Sequence, residues 1–418
     1  MTEVQRVGVL GAGTMGAGIA QVAAEAGLDV ALLDPVTGAY ERARDRIGGF
    51  LERKVARGEL HAGMADMALN RIHESGSVAD LAATGFVIEA IPEELDLKRD
   101  AFRRLDAAAA SSAILATNTS SLSVARIAEA TARPERVLGM HFFNPVPLMA
   151  LVEVIAAPRT DRAVVDATLA LARRMGKTPV EAADTPGFIV NRVARPFYLE
   201  ALRILGEGRA AAPAIDAAMR EAGFRMGPFE LLDTIGLDVN LAVTESVWKG
   251  FGRAPRYLPH GLQRVLVEAG RLGRKTGAGI YDYGADGAQG APWAGLSPGS
   301  SATRGGAATP GRTATAHAAR AEALPADAIR DRVLAAIVNE AASAVEDRTA
   351  SPTAIDAAMS LGTNWPSGPL AWGERLGLGH VVATLDALAA TAPDARYAAV
   401  PLLRSLAGSG GSFHAGPD

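Results

Sequence analysis

Residues 137–155, VLGMHFFNPVPLMALVEVI, place one histidine and one carboxylate, His141 and Glu153, inside two apolar runs separated by a proline-bracketed turn. An ionisable side chain within each of two consecutive strand-like runs is costly unless the two satisfy each other, because an unpaired buried polar group costs about 1–3 kcal/mol. With residues 144–149 as the connection, the strands lie side by side and the carboxylate meets the imidazole. A histidine held in one tautomer by such a partner is suited to general-base work. On these residues alone the alternative stays open: a surface histidine and an edge-strand glutamate that never meet.

The elements that must position this pair begin at the amino terminus. The apolar strand Arg6–Leu10 runs into a GxGxxG turn made by Gly11, Gly13 and Gly16, with Thr14 and Met15 before the last glycine, and the turn opens an apolar helix through Ile19 and Val22. Backbone amides of such a turn, together with a helix N-terminus, hold a pyrophosphate. A second strand over residues 30–33 ends at Asp34, at the distance expected for an acidic residue that accepts hydrogen bonds from an adenosine ribose, which favours NAD over NADP. Short apolar runs at residues 85–89 and 113–117, with helical segments between, extend the pattern to a parallel, doubly wound sheet. Ligands of such sheets sit beyond the carboxyl ends of the strands, where residues 89–93, residues 118–121 and His141 all fall.

The 418 residues, 49% hydrophobic and 21% charged, suffice for two or three domains with cores of their own. A net charge of −4 gives no reason to expect nucleic acid or a membrane surface. Zero cysteines rule out disulfides, thiolate catalysis and zinc–cysteine sites. The start of the chain lacks a basic, then apolar leader, and no apolar run is long enough to span a bilayer, so a cytoplasmic protein is expected.

From residue 185 the pattern turns helical, with Thr185 as N-cap and Pro186 at the first helical position. Residues 286–325, dominated by Gly, Ala, Ser, Thr and Pro, read as a flexible linker. The helical regions on either side repeat: Asn191-Arg-Val193 returns as Asp331-Arg-Val333, Glu200 as Glu340, Asp216 as Asp356 and Tyr257 as Tyr397, each 140 residues on, and Gly227-Pro228 returns as Gly368-Pro369, one further. The expected organisation is therefore a nucleotide domain over 1–184, a helical domain over 185–285, the linker, and a second, degenerate helical copy over 326–418 packed against the first. That copy has Asp331 in place of Asn191 and no counterpart of Gly273-Arg-Lys-Thr-Gly277.

With GAGTMG at 11–16, IEAIPEELDLK at 88–98, TNTSSL at 117–122, HFFNPVPLMALVEV at 141–154, DTPGFIVNR at 184–192 and GRKTGAGIYDY at 273–283, the chain resembles the NAD-dependent L-3-hydroxyacyl-CoA dehydrogenases over nearly its whole length. The resemblance implies an α/β Rossmann-like nucleotide-binding domain followed by two copies of an all-α, 6-phosphogluconate-dehydrogenase-like domain. It implies NAD as cofactor and an acyl-CoA as substrate. It makes His141 the general base, Glu153 its orienting partner, and Ser120 and Asn191 hydrogen-bonding groups near the substrate oxygen. It also puts Asp34, Glu93, Lys98, Asn144 and Lys275 around the cofactor, and a basic residue of the 53–57 stretch, Lys54 or Arg57, near the coenzyme A phosphates. Read without it, Ser120 is equally a turn or cap residue, Asn191 a polar helix position, and Lys98, Lys275 and the basic stretch solvated charges. Short family members dimerise through the helical domain, so the second copy implies an internal mimic of that contact, with a homodimer as the other arrangement. The passage Gly368-Pro-Leu-Ala-Trp-Gly373 resembles the 3-hydroxybutyryl-CoA and 3-hydroxyadipyl-CoA dehydrogenases of aromatic-acid degradation. The competing readings are a dehydrogenase of a free polyol acid such as gulonate, and a non-catalytic NAD-binding structural protein.

Overall fold

The computed structural model describes residues 4–296, 322–392 and 394–415. It resolves into two compact units, Met1–Phe188 and Ile189–Asp418.

In the first unit the apolar runs form an eight-stranded sheet: β1 (Arg6–Leu10), β2 (Asp29–Leu33), β3 (Ile72–Glu74), β4 (Phe86–Glu89), β5 (Ile114–Thr117), β6 (Val137–Phe142), β7 (Leu151–Ala156) and β8 (Thr178–Ala183), in spatial order β3-β2-β1-β4-β5-β6-β7-β8. Strands β4, β5 and β6 are buried along their whole length, as expected of strands covered on both faces. Strands β1 to β6 are parallel. Beyond β6 the chain folds back, with β7 antiparallel beside β6 as the short connection read from the sequence allows, and β8 runs parallel to β7. The physical reason is the connection. Eight residues, 143–150, are too few for a crossover, which takes a dozen or more, so the chain folds straight back.

Two glycines of the first turn are required by the fold. Gly11 has φ of 102°, and a Cβ on Gly16 would stand 1.7 Å from the Gly11 carbonyl oxygen, so helix α1 (Thr14–Glu25) can start so close to β1 only because both lack side chains. Helix α2 (Ala39–Ala56) follows β2.

The second unit is mainly helical. Its first helix spans Val190–Val193 rather than starting at Pro186. Gly187 and Phe188, in the boundary segment, take φ of 78° and 49°, and Phe188 N donates to the Thr185 carbonyl at 2.9 Å, a turn that a right-handed helix cannot contain. The stretch read as a linker opens with a strand, Gln289–Pro292, paired antiparallel with Tyr281–Tyr283; residues 297–321 lie outside the described residues.

The two helical copies meet through reciprocal ion pairs. Arg192 Nε donates to Glu340 Oε1 at 2.6 Å, and its repeat counterpart Arg332 Nε donates to Glu200 Oε2 at 2.9 Å. Tyr257 OH donates to Glu340 at 2.5 Å, and Tyr397 OH to Glu200 at 2.8 Å. Arg192 also reaches Asp347 at 2.5 Å, while Arg332 reaches Glu207 at 2.7 and 2.8 Å. Each contact is matched 140 positions away, the signature of a local two-fold axis between the repeats. Inside each copy an aspartate caps the next helix: the buried Asp216 accepts from Phe229 N at 2.9 Å, and the half-buried Asp356 from Leu370 N at 2.8 Å. Gly227 and Gly368 are glycines because a Cβ there would lie 2.3 and 2.2 Å from the Cβ of these aspartates. The carboxyl-terminal motif also keeps a remnant that the sequence does not display. Tyr281 OH donates to Asp216 at 2.6 Å; in the second copy His414 Nε2 lies 3.3 Å from Asp356.

Candidate active site

Antiparallel pairing sets His141 directly opposite Glu153, and residues facing each other across two strands project to the same side of the sheet. Glu153 is fully buried and His141 is 6% exposed. His141 Nδ1 stands 2.6 Å from Glu153 Oε2. A carboxylate at that distance needs the ring proton on Nδ1, which leaves the lone pair of the neutral imidazole on Nε2. Nε2 has no hydrogen-bond partner among the described residues. The rings of Phe143 and Phe188 flank the imidazole at centroid distances of 4.5 and 6.0 Å. Asn118 Oδ1 accepts from Phe142 N at 2.8 Å and so fixes the strand end that carries the histidine.

The loop after β5 is gathered on one carboxylate. Glu93 Oε1 accepts from Thr119 Oγ1 at 2.7 Å, from Ser120 N at 2.8 Å and from Ser121 N at 3.0 Å, and the Ser120 hydroxyl lies 3.2 Å from the same oxygen. Burial raises Glu93, but Lys98 and these donors outweigh it and hold the carboxyl below its ordinary range. Lys98 is 1% exposed, so it is not a solvated helix charge. Its ammonium donates to Glu89 Oε1 at 2.6 Å and to the Ile91 carbonyl at 3.2 Å, and stands 3.4 Å from Glu93. Burial pushes Glu89 above its usual range despite the charge of Lys98. Thr117 Oγ1, at 2.7 Å, completes the second oxygen of Glu89.

The first turn fits a dinucleotide. Gly13, the N-cap of α1, has no side chain to cap the helix, and a Cβ there would meet no atom of the described residues within 4 Å. Unlike Gly11 and Gly16, it is therefore not demanded by packing; a ligand approaching the exposed backbone amides accounts for it. Thr14 and Met15 begin the helix. At the end of β2, Asp34 is oriented by Ala12 N at 2.8 Å and Val36 N at 2.9 Å. The carboxylate has further lone pairs for a ribose diol.

The turn joining β6 and β7 is held by a residue that the sequence reading missed. Lys177 Nζ, buried at the start of β8, donates to the carbonyls of Val146 at 2.5 Å and Met149 at 2.8 Å. Gly18 permits the same turn to rest on α1, since a Cβ there would stand 2.8 Å from Val146. Asn144 leads into it through a cis peptide bond to Pro145. Burial lowers Lys177 to about 8, with Glu25 opposing the shift and Lys54 adding to it. Because the unfolded lysine keeps its proton to higher pH, the cost of burying the cation is present below pH 8 and is relieved between about 8 and 10.5. Lys177→Met is thus expected to flatten the rise of unfolding free energy over that window, by at most about 1.4 kcal/mol per pH unit, in urea titrations at stepped pH. An unchanged slope would show that this lysine does not titrate there.

A second residue outside the expected set is Asp184. It accepts from Ser123 Oγ at 2.8 Å, Val124 N at 3.0 Å and Ala125 N at 2.8 Å, capping the helix Val124–Ala128 behind the serine loop. Its acidic position at the head of DTPGFIVNR is the only signal the sequence offers for it.

On α2, Lys54 is ion-paired with Glu25, and Arg57 with Glu59 at 2.9 Å. Arg53 stacks on Phe50 at 4.5 Å. A cavity of about 120 Å³ brings Thr14, Gln21, Arg46, Phe50 and Asn144 together. The remaining expected residues belong to the second unit: Asn191 lies on the helix Val190–Val193, and Lys275 Nζ pairs with Asp238 at 2.6 and 2.7 Å.

Comparison with known proteins adds to this geometry. The family model described as 3-hydroxyacyl-CoA dehydrogenase, NAD binding domain, matches residues 6–185, and the one described as 3-hydroxyacyl-CoA dehydrogenase, C-terminal domain, matches residues 187–283 and again 329–412. The chain is 40% identical to 3-hydroxyadipyl-CoA dehydrogenase of Escherichia coli strain K12, over 97% of this chain and 98% of that protein. It is 42% identical to the human mitochondrial hydroxyacyl-coenzyme A dehydrogenase, over 67% of this chain and 91% of that protein. Among solved structures, 3-hydroxybutyryl-CoA dehydrogenase of Escherichia coli K12 superposes with a TM-score of 0.84 at 38% identity, covering 97% of this chain and 98% of the other.

Proposed function

The chain belongs to the 3-hydroxyacyl-CoA dehydrogenase family, and on that premise we propose a role for each residue of the site. The reaction class is NAD-dependent oxidation of a 3-hydroxyacyl-CoA to the 3-oxoacyl-CoA. When bound, NAD supplies the hydride acceptor.

His141 Nε2 takes the proton of the 3-hydroxyl, and Glu153 stabilises the imidazolium that results. The observation that carries this assignment is the 2.6 Å Nδ1–Oε2 contact beside an Nε2 with no partner among the described residues. Ser120 and Asn191 hold the substrate oxygen as neutral groups and polarise the carbonyl in the reverse direction. Glu93 presents the serine loop, and Lys98 holds Glu93 in place. Gly11, Gly13, Thr14, Met15 and Gly16 form the pyrophosphate turn, Asp34 takes the ribose, and Asn144 and Lys275 complete the cofactor shell. For the coenzyme A phosphates, α2 and its C-cap offer Arg57 and, at helical spacing before it, Arg46 and Arg53; Lys54 lends its charge to Glu25 instead.

The acyl chain is short or ends in a second carboxylate, as the names of the two Escherichia coli relatives suggest, in fatty-acid or aromatic-acid degradation. A cytoplasmic setting belongs to the same proposal, since a chain without cysteine has nothing that calls for an oxidising compartment. The reciprocal bridges favour an internal pseudo-dimer over a homodimer through the same face.

The test is NADH oxidation by the purified protein with acetoacetyl-CoA, beside NADPH and beside free acetoacetate. Rapid turnover with NADH and the thioester only is expected. Equal turnover of free acetoacetate would favour a free hydroxy acid as substrate, and equal use of NADPH would overturn the role of Asp34.

A further inference from the structure

Among the described residues of the helical unit four arginines are buried, and three of them face carboxylates: Arg192 faces Glu340 and Asp347, Arg203 faces Glu200, and Arg332 faces Glu200 and Glu207. Arg195, 4% exposed, differs. Its donors meet only neutral oxygens, the Asn191 carbonyl at 2.7 Å, Thr244 Oγ1 at 3.1 Å and the Asn240 carbonyl at 3.5 Å, with the Tyr198 ring 5.1 Å away. No carboxylate pairs with it among the described residues. Burial pushes its guanidinium down to about 10, an expensive state for a group that is otherwise always charged. Beside it, Asn240 Nδ2 is buried without a partner among the described residues, although Gln263 Nε2 donates to Asn240 Oδ1 at 2.8 Å and so fixes which way the amide points.

The repeat supplies an internal control. At the position of Arg195 the second copy has Ala335, and where Asn191 stands it has Asp331, paired with His380 at 3.1 Å; Asn240, four residues after Gly236, answers to Val381, four after Gly377. A helical domain of this type therefore packs without the cation. The cation occurs in the copy that carries Asn191, and its Nε is bonded to that residue's own carbonyl.

We infer that Arg195 is a carboxylate subsite for the far end of the acyl chain, selecting a 3-hydroxyacyl thioester that ends in a second carboxylate over one that ends in methyl. The inference rests on the proposed role of Asn191 at the C3 oxygen. In a six-carbon dicarboxylyl chain the terminal carboxyl carbon lies three bonds beyond C3, roughly 4 Å in extended form, and one helical turn of about 5.4 Å separates the two residues. An incoming carboxylate would meet a guanidinium suited to two parallel hydrogen bonds and would supply the charge that the protein leaves out. A methyl end would leave the buried cation uncompensated, and a site built for a polar group discriminates most strongly against the analogue lacking it.

The experiment compares kcat/KM for 3-oxoadipyl-CoA and 3-oxohexanoyl-CoA, equal in carbon number, in the wild type, Arg195→Gln and Arg195→Lys. The ratio within one protein cancels general damage. The wild type is expected to favour the dicarboxylyl thioester about a hundredfold, Arg195→Gln to bring the ratio near one, and Arg195→Lys to restore much of it. A wild type that reduces both substrates equally well overturns the subsite while leaving the dehydrogenase reading intact, and it does so even if neither variant folds. A preference that survives in Arg195→Gln also overturns it. A wild type that reduces neither, nor acetoacetyl-CoA, overturns the dehydrogenase reading itself.

Discussion

Replacing His141 with glutamine is expected to lower kcat for 3-hydroxyacyl-CoA oxidation by about 10³-fold and to leave the affinity for NAD unchanged. Glutamine approximates the reach of imidazole but cannot take up a proton at neutral pH, so the hydroxyl must lose its proton to water as hydride departs. The turn at Gly11–Gly16 and Asp34, proposed to hold the pyrophosphate and the ribose, follow other strands, and none of their hydrogen bonds passes through His141. Single-turnover absorbance at the nicotinamide band gives the rate, and fluorescence titration gives the cofactor affinity. Loss of both together would mean that histidine and cofactor site are one structural unit, contrary to the roles assigned. Glu153→Gln makes a graded comparison: an amide carbonyl can still accept from Nδ1, yet it cannot stabilise the imidazolium, so a fall of roughly 10²-fold is expected. Full activity in that variant would remove Glu153 from the chemistry.

The largest expected loss of stability comes from Glu340→Ala. Glu340 is 2% exposed and receives Arg192 at 2.6 Å, Tyr257 at 2.5 Å and Arg256 at 3.4 Å. Among the described residues its removal leaves a buried guanidinium with Asp347 as its one charged partner and takes away the acceptor of the Tyr257 phenol; breaking a buried pair in this way costs about 3–5 kcal/mol. Urea unfolding followed by far-UV circular dichroism should show that drop, and Glu200→Ala a similar one, because Glu200 holds the mirror position. For Glu200 burial raises the carboxyl, but Arg203 and Arg332 outweigh it and hold it below the ordinary range. The stability it lends is therefore full above the usual carboxylate pKa and lost as the pH falls through its depressed value. Losses below 1 kcal/mol in both variants would show that the crossed bridges do not hold the repeats together.

The pairing of His141 with Glu153 was legible because polar residues inside apolar runs advertise themselves, and because a short proline-bracketed turn allows few geometries. The glycine turn, Asp34 and the repeat were legible through fixed spacing. What could not be read were the partners. Lys98 and Lys54 look like surface charges on amphipathic helices; the folded chain buries one against Glu89 and pairs the other with Glu25, nine and 29 residues away. Nothing local distinguishes such lysines from solvated ones, since the cost of burial depends on neighbours brought in by the whole sheet. Lys177 and Asp184 act on segments 28–31 and 59–61 residues distant, so their roles exist only once β6, β7 and β8 are in register. The left-handed turn at Phe188 was hidden for another reason: phenylalanine is a poor sequence signal for positive φ, and the tertiary setting overrides its preference.

The crossed bridges between the repeats also divide the chain into positions with different histories open to them. Asn191 and Asp331, or Arg195 and Ala335, could diverge without consequence for folding, each belonging to its own copy. Arg192 and Glu340, 148 residues apart, cannot, and neither can Arg332 and Glu200, 132 residues apart, because a change of sign in one strands the other in the interior. After duplication the second copy was thus at liberty to forget the chemistry but not its twin, and substitutions across this seam should occur in compensating couples.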